Sequence, residues 1–443
     1  MATQPAVDTP ITYRTSPTAS EKFEEWLAAN PQAIPANSDP SDVSRSELYV
    51  EDKWQAPFAE MREKEPVNKV TGTAYGDYWN VTTVKTIQHV ESLPELYSSS
   101  WQYGGITIGD PRPREDNEEE RFQLPMFIAM DRPQHTGQRR TVAPAFTPGE
   151  MDRMAAEIRQ RTGEVLDSLP WGEQFDWVDK VSIELTTGML ALLFGFPWED
   201  RRLLTYWSDW AGDVEIGLSP ELIDYRHEIL MEMGHYFQRL WAERLNGPPS
   251  PDLISMMIHS EAMNQMGFQE FVGNLVLLIV GGNDTTRNTM SGIVEALDTF
   301  PDQRALFERD PSVIPNAVQE CIRYVTPLAH MRRTATADAD LFGHQIKQGD
   351  KLIMWYISAN RDETVFEKPN ELILTRENAR RHMAFGYGIH RCVGARLAEL
   401  QLRILLEEMH ARRMRVKVTG RKQRVRANFV HGFRKLEVTL EKF

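Results

Sequence analysis

The segment FGYGIHRCVG, Phe385 to Gly394, decides how this chain is read. Gly386 and Gly388 precede Cys392, and Gly394 follows it. Glycine permits tight turns at positive φ and lets backbone approach a flat ligand closely. Val393, Leu397, Leu400 and Ile404 recur at helical spacing, so an amphipathic helix is expected to begin near Cys392. A sulfur at a helix start is expected to be held as thiolate by the dipole and the free N–H groups. Two uses fit such a loop. One is a structural or redox-sensing cysteine. The other is a metal-ligating thiolate with backbone laid against a planar group.

A second element is GGNDTTRN, Gly281 to Asn288, set inside a long apolar run from Phe268 to Phe300. That run predicts a helix buried along most of its length. Polar residues in it are costly unless something needs them. Each glycine costs roughly 1 kcal/mol in a helix relative to alanine. Removing two Cβ atoms makes room for a ligand, although a kinked core helix with a small-residue contact has the same pattern. The Thr285 hydroxyl can bond backbone or a bound oxygen species, and Asp284 can relay protons from solvent.

Together these motifs resemble the cytochrome P-450 family. Phe385, Gly388, His390, Cys392 and Gly394 fill Phe-x-x-Gly-x-His/Arg-x-Cys-x-Gly, and Gly281, Gly282, Asp284 and Thr285 fill Ala/Gly-Gly-x-Asp/Glu-Thr. The resemblance implies a mainly α fold with small β-sheets, the P-450 fold. It implies haem b, with Cys392 as the axial ligand of the iron, pushing electron density that favours O–O cleavage. Phe385 is then expected beside the sulfur and Gly282 against the macrocycle. His135, Arg139, Arg332 and His390 are the expected cationic or hydrogen-bonding partners of the propionates. Asp284 and Thr285 are the expected proton-delivery pair. Glu320 and Arg323, at i and i+3, would form a buried cluster with Arg376 that supports the cysteine loop. The family's usual Asp in that stretch is replaced here by Ile373.

The rest of the chain is compatible with this picture. It has 443 residues, 41% hydrophobic and 26% charged, without a linker or repeat that marks domains. Residues 1–45 are expected to form a partly extended N-terminal arm, and 46–443 the haem-thiolate monooxygenase domain. Helical spacing runs through Met151–Leu169, Asp179–Leu193, Pro220–Leu245 and Val313–Val325. Strand-like stretches lie at Thr71–Val84, Thr334–Met354 and Arg415–Phe443. A net charge of −14 argues against nucleic acid as a main partner. Two cysteines, Cys321 and Cys392, argue for a reducing compartment, and no run of about 18 apolar residues predicts a membrane span. With no visible signal peptide, a cytoplasmic monomer is expected.

The motif stretches and the N-terminal arm are most similar to the bacterial alkane and fatty-acid terminal-hydroxylase branch. That likeness implies a small apolar or fatty-acid substrate, O2, and electrons from a [2Fe–2S] ferredoxin fed by an NAD(P)H-dependent reductase. No reductase domain is expected within the chain. Arg139, Arg140, Arg380, Arg381, Arg391, Arg396 and Arg403 would form the ferredoxin's basic docking face. Leu277, Val280, Gly281, Leu328, Phe429 and Val430 are the expected substrate pocket. Trp101–Pro125 and Leu203–Tyr236 would form its entrance and lid, with Met231 and Met233 suited to an adaptable channel. Three alternatives remain at this point: a terpene or sterol side-chain hydroxylase, a non-catalytic haem protein, and a helical binding protein without haem.

Overall fold

The computed structural model describes residues 18–34, 37–110 and 124–443. The acidic block Glu115–Glu120, most of the loop ending at Pro125 and the first seventeen residues lie outside these.

The 32-residue helix Phe268–Thr299 is the axis of the molecule. At 1.5 Å per residue it spans about 48 Å. The helices Ile183–Phe194, Leu203–Gly212, Pro220–Arg244 and Ile314–Val325 pack around it. It is buried over most of its length, as its apolar run requires, and its buried amides are paired. Oδ1 of Asn274 accepts from the Phe127 N–H at 3.0 Å, and Oδ1 of Asn288 from the Phe433 N–H at 3.0 Å.

A five-stranded sheet flanks the helices, in the order Val67–Thr73, Gly76–Val81, Lys351–Trp355, His330–Ala335, Tyr97–Ser98. Its strands are antiparallel except for the Gly76–Val81 and Lys351–Trp355 pair. A three-stranded sheet joins Phe175–Asp176, Phe433–Lys442 and Met414–Arg424. This is a mainly α fold with small sheets. Within the N-terminal arm, Ala19–Ala29 is helical, capped by Thr18 and Glu21. Phe23 of this helix is buried in the core, and Ser20 donates to Asp213 at 3.1 Å.

The Glu320 cluster stands at the base of the cysteine loop. Arg323 donates to both oxygens of Glu320 at 2.7 and 2.8 Å, and Arg376 Nε reaches both at 3.0 Å. All three are buried. The remaining Arg323 donors reach the carbonyls of Asn360, Pro369 and Glu371. Where the usual acid is replaced, the Ile373 N–H donates to Glu320 at 2.9 Å. Asn360 then accepts from the Met383 N–H at 2.6 Å, at the entrance to the loop. Removing one partner of such a cluster leaves buried charge uncompensated. Glu320→Gln is therefore expected to cost about 3–5 kcal/mol in a urea-denaturation series. A loss below about 1 kcal/mol would mean the cluster is structurally dispensable.

Candidate functional site

The cysteine loop is shaped by its glycines. Gly386 and Gly388 both adopt φ of +66°, where an L side chain is strained. A Cβ on Gly388 would lie 2.4 Å from the Glu91 carbonyl oxygen, so only glycine fits there. The Cys392 N–H donates to the Phe385 carbonyl at 2.8 Å, closing the loop and placing Phe385 beside the cysteine. The following helix starts at Ala395. Burial pushes the Cys392 thiol up, while the Gly394 N–H, Arg139 and Arg391 pull it down. The net shift is upward, so burial outweighs the depression expected at a helix start.

Cys392 faces a cavity also lined by Phe385, Gly386, His390, Arg139, Gly282 and Thr285. Polar atoms without partners among the described residues stand at this cavity or just behind it, His135 packing on His390 without lining the cavity itself. Among the described residues, both ring nitrogens of buried His135, Nδ1 of His390 and Nη1 of Arg139 have none. The His135 and His390 rings are 4.3 Å apart, and Nε2 of His390 meets the Ser99 hydroxyl at 2.9 Å. Nη2 of Arg139 donates to the Arg391 carbonyl, which pins the loop to the Gln134–Val142 helix. Burial and nearby cations lower His135 to about 4. Buried donors without acceptors are costly, and an anionic group beside them would relieve that cost. The residues present thus fit a flat group bearing carboxylates.

Arg332 does not share this cavity. Its strand alternates, and Arg332 turns to Asp110 at 2.7 Å and to the Tyr103 carbonyl at 2.8 Å. The next residue, Arg333, lines the cavity and donates to Glu91 at 3.1 Å. Glu91 also accepts from Tyr356 at 2.8 Å and from the Tyr387 N–H at 2.9 Å. Burial raises it to about 7, against the pull of Arg333. Sequence reading missed both residues. Strand parity in HMRRTA separates the two arginines, but it does not say which face meets the cysteine.

A larger cavity, about 540 Å³, adjoins this one. Leu277, Gly281, Thr285, Leu328 and Met331 line both. Val280 and Phe429 line the larger one. Val430 does not. It pairs with Leu328 in an isolated bridge and is buried. Trp101, Gly104, Ala211, Leu218 and Ile223 come from the two expected lid segments. Met231 and Met233 pack in the helical core and line neither cavity.

The oxygen-side helix divides its motif between two environments. The Thr285 hydroxyl donates to the Gly281 carbonyl at 2.8 Å and borders both cavities. Asp284, one residue earlier, lines neither. Its Oδ1 accepts from Asn283 at 3.0 Å and from Arg287 at 2.9 Å. Arg287 bonds Asp209 at 2.8 Å, and Arg434 reaches Asp209 at 2.7 Å and also Asp213. Burial raises Asp284 to about 6, although Arg287 pulls it down.

With this geometry in view, the chain compares directly with known proteins. The family profile described as Cytochrome P450 matches residues 312–429. The chain is 34% identical over 410 residues to linalool 8-monooxygenase of Pseudomonas putida, covering 90% of this chain and 98% of that one. It is 31% identical over 405 residues to the methyl-branched lipid omega-hydroxylase of Mycobacterium tuberculosis, with 88% and 91% covered. The solved structure of cytochrome P450-153 from Novosphingobium aromaticivorans superposes with a TM-score of 0.87. That protein is 74% identical, with 91% of this chain and all of that one covered. The chain belongs to the cytochrome P450 family, whose members bind haem b, and it is a P450 monooxygenase. Such an enzyme requires dioxygen and a redox partner. Among the described residues no helix is long and apolar enough to cross a membrane.

The two glycines of the long helix serve different ends. A Cβ on Gly281 meets nothing within 4 Å, whereas one on Gly282 would lie 2.7 Å from Leu190. Gly281→Ala is therefore expected to gain up to about 1 kcal/mol of stability in denaturant titrations. Gly282→Ala is expected to lose about 1–3 kcal/mol through overpacking. Equal effects of the two substitutions would contradict this division.

Proposed function

We propose that Cys392 would hold the iron of haem b through its thiolate, and that the enzyme hydroxylates the terminal carbon of linear alkanes or fatty acids. The observation carrying this reading is a pair of adjoining, mainly apolar cavities that share part of their wall. Thr285, Gly281 and Leu277 border both the cavity of Cys392 and the larger cavity beyond it. His135, Arg139, His390 and Arg333 would hold the propionates, with Phe385 and Gly282 against the macrocycle. When bound, the haem supplies the iron at which dioxygen is activated.

The protein's own part is to orient substrate, exclude water and move protons. Leu277, Val280, Leu328 and Phe429 offer an apolar wall that a hydrocarbon chain fills at the expense of water. Gly281 leaves open space beside Thr285. Asp284, raised to about 6, exchanges a proton readily near neutral pH. The Thr285 hydroxyl borders the reaction space and passes that proton on at Oγ1.

The electron donor in this reading is a [2Fe–2S] ferredoxin served by an NAD(P)H-dependent reductase. Arg140, Arg380, Arg381, Arg391, Arg396 and Arg403 are exposed, on or near the cysteine loop and its helix. Arg139 points inward instead and has the partners described above. Exposed like charge of this kind steers an acidic partner and is screened by salt. A second reading takes a branched terpene as substrate, supported by the likeness to linalool 8-monooxygenase.

The test is reconstitution of the holoenzyme with ferredoxin and reductase on dodecane, dodecanoate and linalool, with products analysed by mass spectrometry. Terminal alcohols from the linear substrates are expected. Turnover of linalool alone would favour the second reading. In the same assay Asp284→Asn is expected to slow product formation about 100-fold or more. Thr285→Ala is expected to lower the ratio of alcohol formed to NADH consumed. Unchanged rate and ratio would remove this pair from proton delivery.

A further inference from the structure

We infer that Arg226 is the binding site for the carboxylate of a fatty-acid substrate, and that it sets which end of the chain faces Cys392. This rests on the reading of the enzyme as a hydroxylase of linear chains, and narrows its substrate class.

Arg226 stands on the Pro220–Arg244 helix and lines the larger cavity. The other charged side chain lining that cavity, among the described residues, is Asp110. Asp110 is already matched twice, by Arg332 at 2.7 Å and by Lys351 at 2.9 Å. Arg226 has no such match. Among the described residues no carboxylate forms an ion pair with it. One donor, Nη2, reaches the Ala211 carbonyl at 2.7 Å, while Nε is buried with no acceptor among the described residues. The acid that acts on it through space is Asp213, which Arg434 and Ser20 engage directly. Burial pulls the guanidinium down to about 10, so it remains a cation at neutral pH.

A half-buried cation with no ion-pair partner among the described residues is costly, and the cavity wall around it is otherwise largely apolar. A guanidinium offers five donors in a planar fork that matches a carboxylate. Capping the Ala211 carbonyl at the end of the Leu203–Gly212 helix uses one of them and leaves Nε unsatisfied. A ligand with an anionic head and an apolar tail satisfies both the cation and the wall.

Position turns this contact into regiochemistry. Arg226 lines the larger cavity and not the one that holds Cys392. Leu277, Gly281, Thr285, Leu328 and Met331 lie where the two meet. A fatty acid held by its head at Arg226 therefore sends its methyl end toward the cysteine side. An alkane has no such anchor and is held by the wall alone.

The experiment is calorimetric titration of the holoenzyme with dodecanoate, methyl dodecanoate and dodecanol, for wild type, Arg226→Gln and Arg226→Lys. Wild type is expected to bind the acid more tightly than its ester. Arg226→Gln should weaken the acid about 10- to 100-fold, with the ester and alcohol changed less than about threefold. Arg226→Lys should fall between the two for the acid. Terminal selectivity on dodecanoate should drop in Arg226→Gln. Equal changes for acid and ester, or none for either, would overturn the assignment. The wild-type comparison of acid with ester tests it even where a variant fails to fold. Binding is read separately from turnover, so absence of terminal alcohol with charge discrimination intact counts against the hydroxylase reading alone.

Discussion

Two guanidinium groups converge on the single carboxylate of Glu320, and the placement of the cysteine follows from that arrangement. The segment between residues 360 and 395 has little regular structure to hold it. Its backbone carbonyls need donors, and Arg323 and Arg376 supply them at Asn360, Lys368, Pro369 and Glu371. Asn360 passes the constraint to Met383, and the Phe385 carbonyl passes it to the Cys392 N–H. Hydrogen bonds from buried side chains thereby take the place of regular secondary structure in this loop. Such restraint is what a ligand position needs if the sulfur is to meet one atom in one geometry.

A second network holds the acid of the long helix. Asp284, Arg287, Asp209, Arg434 and Asp213 form a buried chain of alternating charge ending at Ser20 of the N-terminal helix. Gly212 has no Cβ, and one there would lie 2.6 Å from Asp284 Oδ2. The acid is thus kept out of the apolar cavity while Thr285 stays on its border. Adjacent residues on a helix point about 100° apart, so one motif serves a charged network and a reaction space at once.

Much of this was legible in the sequence because the motifs carry local constraints. The glycines at 386 and 388 take the backbone their loop demands, and the Phe268–Phe300 run forms the expected buried helix. Arg376 joins Glu320 even though Ile373 replaces the usual acid, because a backbone N–H fills the vacancy. What failed was facing. Arg332 and Val430 sit on extended backbone, where a shift of one residue reverses the side, and fixed offsets do not settle parity. Met231 and Met233 had the right chemistry for a channel but point into the helical core. The desolvation that raises the Cys392 thiol comes from the surrounding fold, which the helix start alone does not reveal. Arg226 gave no signal at all, since an arginine on an amphipathic helix reads as solvated surface until its surroundings are known.

Desolvation raises the Cys392 thiol while the Gly394 N–H and two arginines oppose it, so on the proposed reading binding of iron would be coupled to release of its proton. The most direct measurement is the carbon-monoxide difference spectrum of the reduced holoenzyme beside that of Cys392→Ala. A thiolate-ligated band in the wild type that vanishes in the variant is the predicted result. A wild type without that band, or a variant that keeps it, would contradict the assignment of Cys392 as the iron's ligand.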